Sequence, residues 1–213
     1  MSVPSRCVVF IVDDDASVRK GLGRLMRSAG YNAEAFESAE AFLAHQPADL
    51  PACLILDFKM PGLDGPALQE RLEAAGSRLP IVFLSGHADV PTSVRAMKHG
   101  ALDFLQKPVE DHILLQAVEV ALERSARTRA ESGEIAGIRS RLELLTPRER
   151  EVLEQVITGA LNKQIAATLE IAEKTVKIHR AQVMHKMQAG SVAELVRLAA
   201  RTGIGPDTLL FPK

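Results

Sequence analysis

Four short apolar runs, each leading into a residue that can do chemistry, restrict this chain more than any other feature. Val8–Val12 ends in Asp13-Asp14-Asp15, residues 54–56 end in Asp57, residues 81–84 end in Ser85, and the weaker run at 104–105 reaches Lys107. Unbroken apolar runs of this length are strands buried on both faces. Asn32–Phe36 alternates and reads as an edge strand. Amphipathic segments at 17–29, 39–44, 65–75, 90–99 and 111–125 separate the runs. Strand and helix in alternation imply a parallel sheet covered on both sides, here an α/β doubly wound five-stranded sheet. In such a fold the functional crevice lies at the carboxyl ends of the strands. Asp13, Asp57, Ser85 and Lys107 all fall there.

The acid cluster poses a physical problem. Three carboxylates leaving a core repel one another unless water, a helix N-terminus or a cation offsets them. Asp15 stands just before residues 17–29 and can cap that helix. Asp13, Asp14 and Asp57 at one sheet edge can hold a hard divalent cation, and Mg²⁺ suits carboxylate and carbonyl oxygens. A cation there screens an incoming phosphoryl group, so that a carboxylate can act as nucleophile. Lys107 can pair with phosphoryl oxygens, and the Ser85 hydroxyl can donate to one.

Composition narrows the class. The chain has 213 residues, 46% of them hydrophobic, enough for one large core or two small ones. It contains no apolar run of the roughly 20 residues that span a bilayer and no signal-peptide pattern, so no membrane partner and a cytoplasmic location are expected. Cys7 and Cys53 each begin an apolar strand and read as small buried hydrophobes.

Charge divides the chain. Residues 1–122 carry 11 Lys/Arg against 16 Asp/Glu, whereas residues 146–213 carry 10 against 7. An acidic front and a mildly basic back indicate two domains with different partners. Between them helical character continues from Asp111 without a proline, with fraying expected near Ser132-Gly133. Ile135, Ile138, Leu142 and Leu145 form a short stripe that suits either a coiled coil or packing on the chain's own domains.

The back reads as wholly helical. Thr146, Pro147 and Glu149 form a capping-box start. Gly159 ends that helix. Further helices are expected at 162–169, Glu173–Met187 and Val192–Arg201. The boundaries expected are 1–122 for the first domain, 123–141 for a long helical linker and 142–213 for an all-α domain.

As a set, the acid pair, LILDFKMPG, FLSG and FLQKP resemble the receiver domain of bacterial response regulators, a flavodoxin-like fold. The resemblance covers about residues 7–122. It implies that Asp57 is the phosphoacceptor. It implies too that Asp14 binds Mg²⁺ directly, that Asp13 binds it through water, and that the Lys59 backbone carbonyl is a further ligand. It also implies that Ser85 swings toward the phosphoryl group with Phe104 as the aromatic switch, and that Lys107-Pro108 is the family's cis peptide. Phe58, following the acceptor, is larger than the aliphatic residue usual in that family. IVDDDAS also fits the start of a haloacid-dehalogenase-like phosphatase with Asp13 as nucleophile. That reading lacks a later acidic pair at a strand end and leaves Asp57 without a role.

In the back, a helix, a tight turn at 170–172 and a second helix follow the helix-turn-helix plan. Ile165, Ala166, Leu169, Ile171 and Val176 supply its small core. Lys174, Thr175, Lys177, Ile178 and Ala181 share one exposed face, flanked by His179 and Arg180. LTPRERE, NKQIA and TVKIHR resemble the LuxR-type output domain over about residues 142–203, and SGHADVP with AMKHGA is closest to the FixJ/StyR group. The resemblance implies DNA contact by Lys174, Thr175, Lys177 and Ile178, with Lys163 and His179 toward phosphates. The whole chain is then expected to be a two-component regulator and not an enzyme. A sensor histidine kinase, promoter DNA and, on phosphorylation, a second copy of the chain are its expected partners. The alternative is a DNA-binding module whose receiver serves as a docking unit without phosphorylation.

Overall fold

A computed structural model describes residues 7–45, 50–86 and 90–205, and the side chains of all of these except 90–92. The chain divides into two compact units, Met1–Ala130 and Glu131–Lys213.

The first unit is built on a parallel sheet of β1 (Val8–Val12), β2 (Asn32–Phe36), β3 (Ala52–Asp57), β4 (Ile81–Ser85) and β5 (Asp103–Gln106). Its order is β2-β1-β3-β4-β5, so the chain reverses direction of growth after β2. Register aligns Val12 with Leu56, Leu56 with Phe83, and Phe83 with Phe104. Helices α1 (Ala16–Ser28), α2 (Ala39–Leu43), α3 (Gly65–Ala74), α4 (Val90–Lys98) and the start of α5 (Asp111–Glu143) follow the strands in turn.

The period-2 geometry of a strand sorts the apolar runs onto two faces. Val8, Phe10, Val12, Leu54, Leu56 and Phe83 pack with Phe42 of α2, Leu68 of α3 and Ala96 of α4. Val9, Ile11, Cys53, Ile55, Val82 and Leu84 pack with Met26 of α1 and with Leu114, Val118 and Leu122 of α5. Each fully buried side chain of this size contributes about 1.5–3 kcal/mol. β1, β3 and β4 are buried along their whole length because both faces are covered. β2 lies at the edge and is largely exposed, as its alternating sequence requires. Ser125 of α5 is buried, and its Oγ accepts a 3.0 Å hydrogen bond from the Ala52 N–H, the first amide of β3.

α5 is one helix from Asp111 to Glu143. The fraying expected at Ser132-Gly133 is absent, since the helix passes through both residues. The stripe at its end packs within the second unit. Ile138 is fully buried there and Leu142 and Leu145 nearly so, against Val152, Leu153 and Val156.

The second unit continues with α6 (Pro147–Ile157), α7 (Asn162–Thr168), α8 (Glu173–Met187) and α9 (Val192–Arg201). The Thr146 capping box forms in full. The Glu149 carboxylate also accepts a 2.7 Å bond from Lys186 Nζ, tying the start of α6 to α8.

Candidate functional site

The strand ends deliver the four chemical residues to one edge. Asp13 follows β1, Asp57 ends β3, Ser85 ends β4, and Lys107 follows β5. Asp13, Asp57 and Ser85 are buried. Lys107 Nζ donates to Asp13 Oδ2 and to Asp57 Oδ1, both at 2.7 Å. One ammonium thus bridges carboxylates from two neighbouring strands. The Lys107 N–H donates to the Ser85 carbonyl at 2.8 Å, which fixes the chain after β5 against β4. The Lys107–Pro108 bond is cis, the isomer that the family resemblance implied.

The three aspartates of the opening cluster have separate fates. Asp15 caps α1, accepting from Ser17 N–H at 2.6 Å and Val18 N–H at 3.3 Å. Those bonds hold its carboxyl below the usual range. Asp13 turns one oxygen to Lys107 and the other to the Asp15 N–H at 2.8 Å. Asp14 is exposed to water.

Electrostatics mark Asp57. Burial raises its pKa, Lys107 pulls it down by hydrogen bond and charge, and Asp13 and Asp14 push it up; it stays above the ordinary aspartate value. For Lys107 burial acts downward, yet the bonds to Asp13 and Asp57 outweigh it and the pKa is raised. Asp13, Asp14 and Asp57 set three carboxylates against the Lys107 ammonium and the Arg19 guanidinium at the Asp13 carbonyl, which leaves net negative charge among oxygen donors. Carboxylate and carbonyl oxygens are the donor type that suits a hard divalent cation. Among the described residues no three His, Cys, Asp or Glu side chains are gathered as a ready-made metal cluster. Lys59, whose carbonyl the family resemblance adds to the ligands, lies two residues past Asp57 with its side chain in solvent.

Two supports were not read from the sequence. Gly65 opens α3 against the site: a Cβ there would lie 2.5 Å from the Asp57 carbonyl oxygen and 2.9 Å from the Phe83 ring. Its signal was the Asp64-Gly65-Pro66 triplet, a cap followed by a proline, in which Asp64 accepts from Ala67 N–H. Arg19 donates to the Asp13 carbonyl at 2.7 Å. No local pattern announces that contact.

In the second unit α8 has one buried line, Val176, Val183 and Met187. Ile165 is buried beside Val176, with Ala166, Leu169 and Ile171 partly buried around them, which is the small core expected of the turn. Glu170 makes the turn with φ +52°, and Ile171 N–H returns to the Ala166 carbonyl at 3.0 Å. Lys163, Lys174, Lys177 and Ile178 are exposed, whereas Thr175 and His179 are half-buried. Ile178 leaves 54% of its surface in solvent. Arg180 is held by Asn162 Oδ1 at 3.0 Å, which braces α8 on α7. No helix among the described residues is long and apolar enough to cross a membrane.

Comparison with known proteins finds matches over both units. The response regulator receiver domain family matches residues 9–119, and the family of bacterial regulatory proteins described as luxR matches residues 143–199. The transcriptional regulatory protein FixJ of Bradyrhizobium diazoefficiens is 46% identical over 200 residues, covering 93% of this chain and 97% of that protein. Nodulation protein W of the same organism is 46% identical over 203 residues, covering 95% and 89%. The solved structure of the response regulator StyR aligns with TM-score 0.84 at 46% identity, over 92% of this chain and 99% of that one. The paired carboxylates bridged by Lys107, the exposed face of α8 and these likenesses lead to one assignment: the chain belongs to the FixJ-like two-component response regulators, transcription regulators with a receiver domain and a LuxR-type DNA-binding domain.

Proposed function

We propose that Asp57 accepts a phosphoryl group from the phosphohistidine of a sensor kinase. The observation that carries this is the Lys107 ammonium, bonded at 2.7 Å to both Asp13 and Asp57 at the carboxyl ends of the strands. An Asp57 carboxylate oxygen attacks phosphorus. The P–N bond of the phosphohistidine breaks, an acyl phosphate forms, and the freed imidazole takes up a proton. Lys107 then pairs with the phosphoryl oxygens and the Ser85 hydroxyl donates to one of them. Phe104 follows Ser85 as the switch aromatic. Asp13, Asp14, Asp57 and the Lys59 carbonyl would hold Mg²⁺. When bound, Mg²⁺ neutralises the excess charge and orients the phosphoryl oxygens.

The output is promoter DNA. α8 enters the major groove with Lys174, Thr175, Lys177 and Ile178 at base edges, while Lys163 and His179 meet phosphates. Lysines on that face supply the salt-dependent part of binding. Phosphorylation promotes pairing of two copies through the face of α4, β5 and α5, where Val94, Met97, Ile113 and Val120 are exposed apolar side chains. A sensor kinase and promoter DNA as partners support a cytoplasmic location.

The test is sedimentation of the full chain with Mg²⁺ and acetyl phosphate, beside Asp57→Asn. Dimers form in the wild-type protein and not in the variant. A phosphorylated protein that stays monomeric while it activates transcription would rule out the pairing. Unchanged regulation by Asp57→Asn in cells would favour a docking receiver that needs no phosphate.

A further inference from the structure

Phe58 is bonded directly to the acceptor residue, and its backbone is held from both sides. Its N–H donates to the Leu84 carbonyl at 2.9 Å and its carbonyl accepts from Gly65 N–H at 3.2 Å. The missing Cβ of Gly65 lets α3 press this close: a Cβ there would stand 3.2 Å from Phe58 Cα. The Phe58 ring therefore rides on a fixed backbone.

That ring meets two others edge-on. Its centroid lies 5.5 Å from Phe83 at 62° and 5.5 Å from Phe104 at 62°. Phe83 and Phe104 are 6.1 Å apart, tilted by 37°. Phe83 is fully buried in the middle of β4 and forms the floor of this group. The Phe104 ring, half-buried on the last strand, is bounded by that floor and by Phe58. Phe58 also lines a cavity of about 190 Å³ between α3 and α4, together with Asp64, Gln69, Arg95 and Ala96. A cavity of about 150 Å³ holds a benzene molecule, so the space that Phe58 borders is of the size of an aromatic ring.

We propose that Phe58 is a positioning residue of the phosphorylation switch: its ring sets where the Phe104 ring can sit, and so couples the backbone next to the acceptor to the switch aromatic. This rests on the reading of Phe104 as that aromatic. An edge-to-face pair shifts a two-state equilibrium by about 2- to 12-fold beyond what its buried area gives.

The experiment is ¹⁹F NMR of the full chain labelled with 4-fluorophenylalanine, the Phe104 signal being assigned with Phe104→Leu. Spectra are taken with Mg²⁺, before and after acetyl phosphate. The Phe104 signal is expected to redistribute on phosphorylation, and Phe58→Leu to change the ratio of its two positions by about 2- to 12-fold. Phe58→Tyr, which keeps the ring, retains the wild-type ratio, and Phe58→Met replaces the leucine variant should that one not fold. Phe42→Leu, which loosens the same apolar layer away from Phe104, controls for general destabilisation and leaves the ratio alone. A Phe104 signal that responds to phosphate yet ignores Phe58→Leu, or responds equally to Phe42→Leu, overturns the coupling. A Phe104 signal indifferent to phosphate in the wild-type protein overturns the switch assignment itself.

Discussion

At the scale of single residues, the decisive feature is how few atoms share the edge where the strands end. Lys107 serves two carboxylates at once, and Gly65 lets the backbone of α3 touch the carbonyl of Asp57. Gly65→Ala forces a Cβ to 2.5 Å from that backbone oxygen, where no flexible side chain can yield. Overpacking of this kind costs about 1–3 kcal/mol, and here it displaces the acceptor. Chemical denaturation should show the loss, and the phosphorylation rate with acetyl phosphate should fall with it. In the second unit Glu149 offers a test by pH. Its hydrogen bond to Lys186, against the opposing effect of burial, holds its carboxyl below the usual glutamate value of 4.5. A lowered carboxylate pKa contributes stability above the unfolded value and loses it as pH falls through the folded one. Glu149→Gln should therefore cost about 1–2 kcal/mol at neutral pH. In urea titrations the gap between variant and wild type should close below pH 4.5. A gap that is constant with pH would assign the loss to packing instead.

At the scale of elements, much of the molecule was legible because its signals are local. Unbroken apolar runs gave the buried strands, alternation gave the edge strand, and Thr146-Pro147 with Glu149 marked the start of α6. The site was legible for the same reason, since a doubly wound sheet puts every strand end on one edge. Contacts between elements were not, because no local pattern encodes them. Gln69 is the example. This polar residue of α3 is buried, and its amide donates to the His99 carbonyl at 2.8 Å and the Ala96 carbonyl at 3.4 Å. It thus caps the end of α4 from α3. Gln69→Leu leaves the His99 carbonyl without that donor, at a cost of about 1–3 kcal/mol. Hydrogen exchange should quicken in the amides of 98–101 while those of β1 keep their protection. Equal acceleration in both places would refute a local cap.

At the scale of the whole molecule, the stripe on α5 is the lesson in ambiguity. Ile138, Leu142 and Leu145 have the spacing of a coiled coil, and a sequence cannot say whether such a stripe seeks another chain or its own. Here it completes the core of the second unit, and Leu122 and Ser125 of the same helix belong to the first. Two cores with separate membership should unfold as two transitions. Ile138→Ala removes a fully buried side chain and should lower the second unit by about 2–5 kcal/mol while the receiver's transition stays in place. Calorimetry reads both at once, and a single shifted transition would mean one cooperative body.

The central claim is that the aspartate at the end of β3 is the phosphoacceptor. The most direct measurement is to incubate the full chain with Mg²⁺ and acetyl phosphate, trap the acyl phosphate by borohydride reduction, and map the product by mass spectrometry. Reduction product at Asp57 alone, abolished by Asp57→Asn, is the predicted result. Product at Asp13, or none at Asp57 while regulation in cells proceeds, would contradict it.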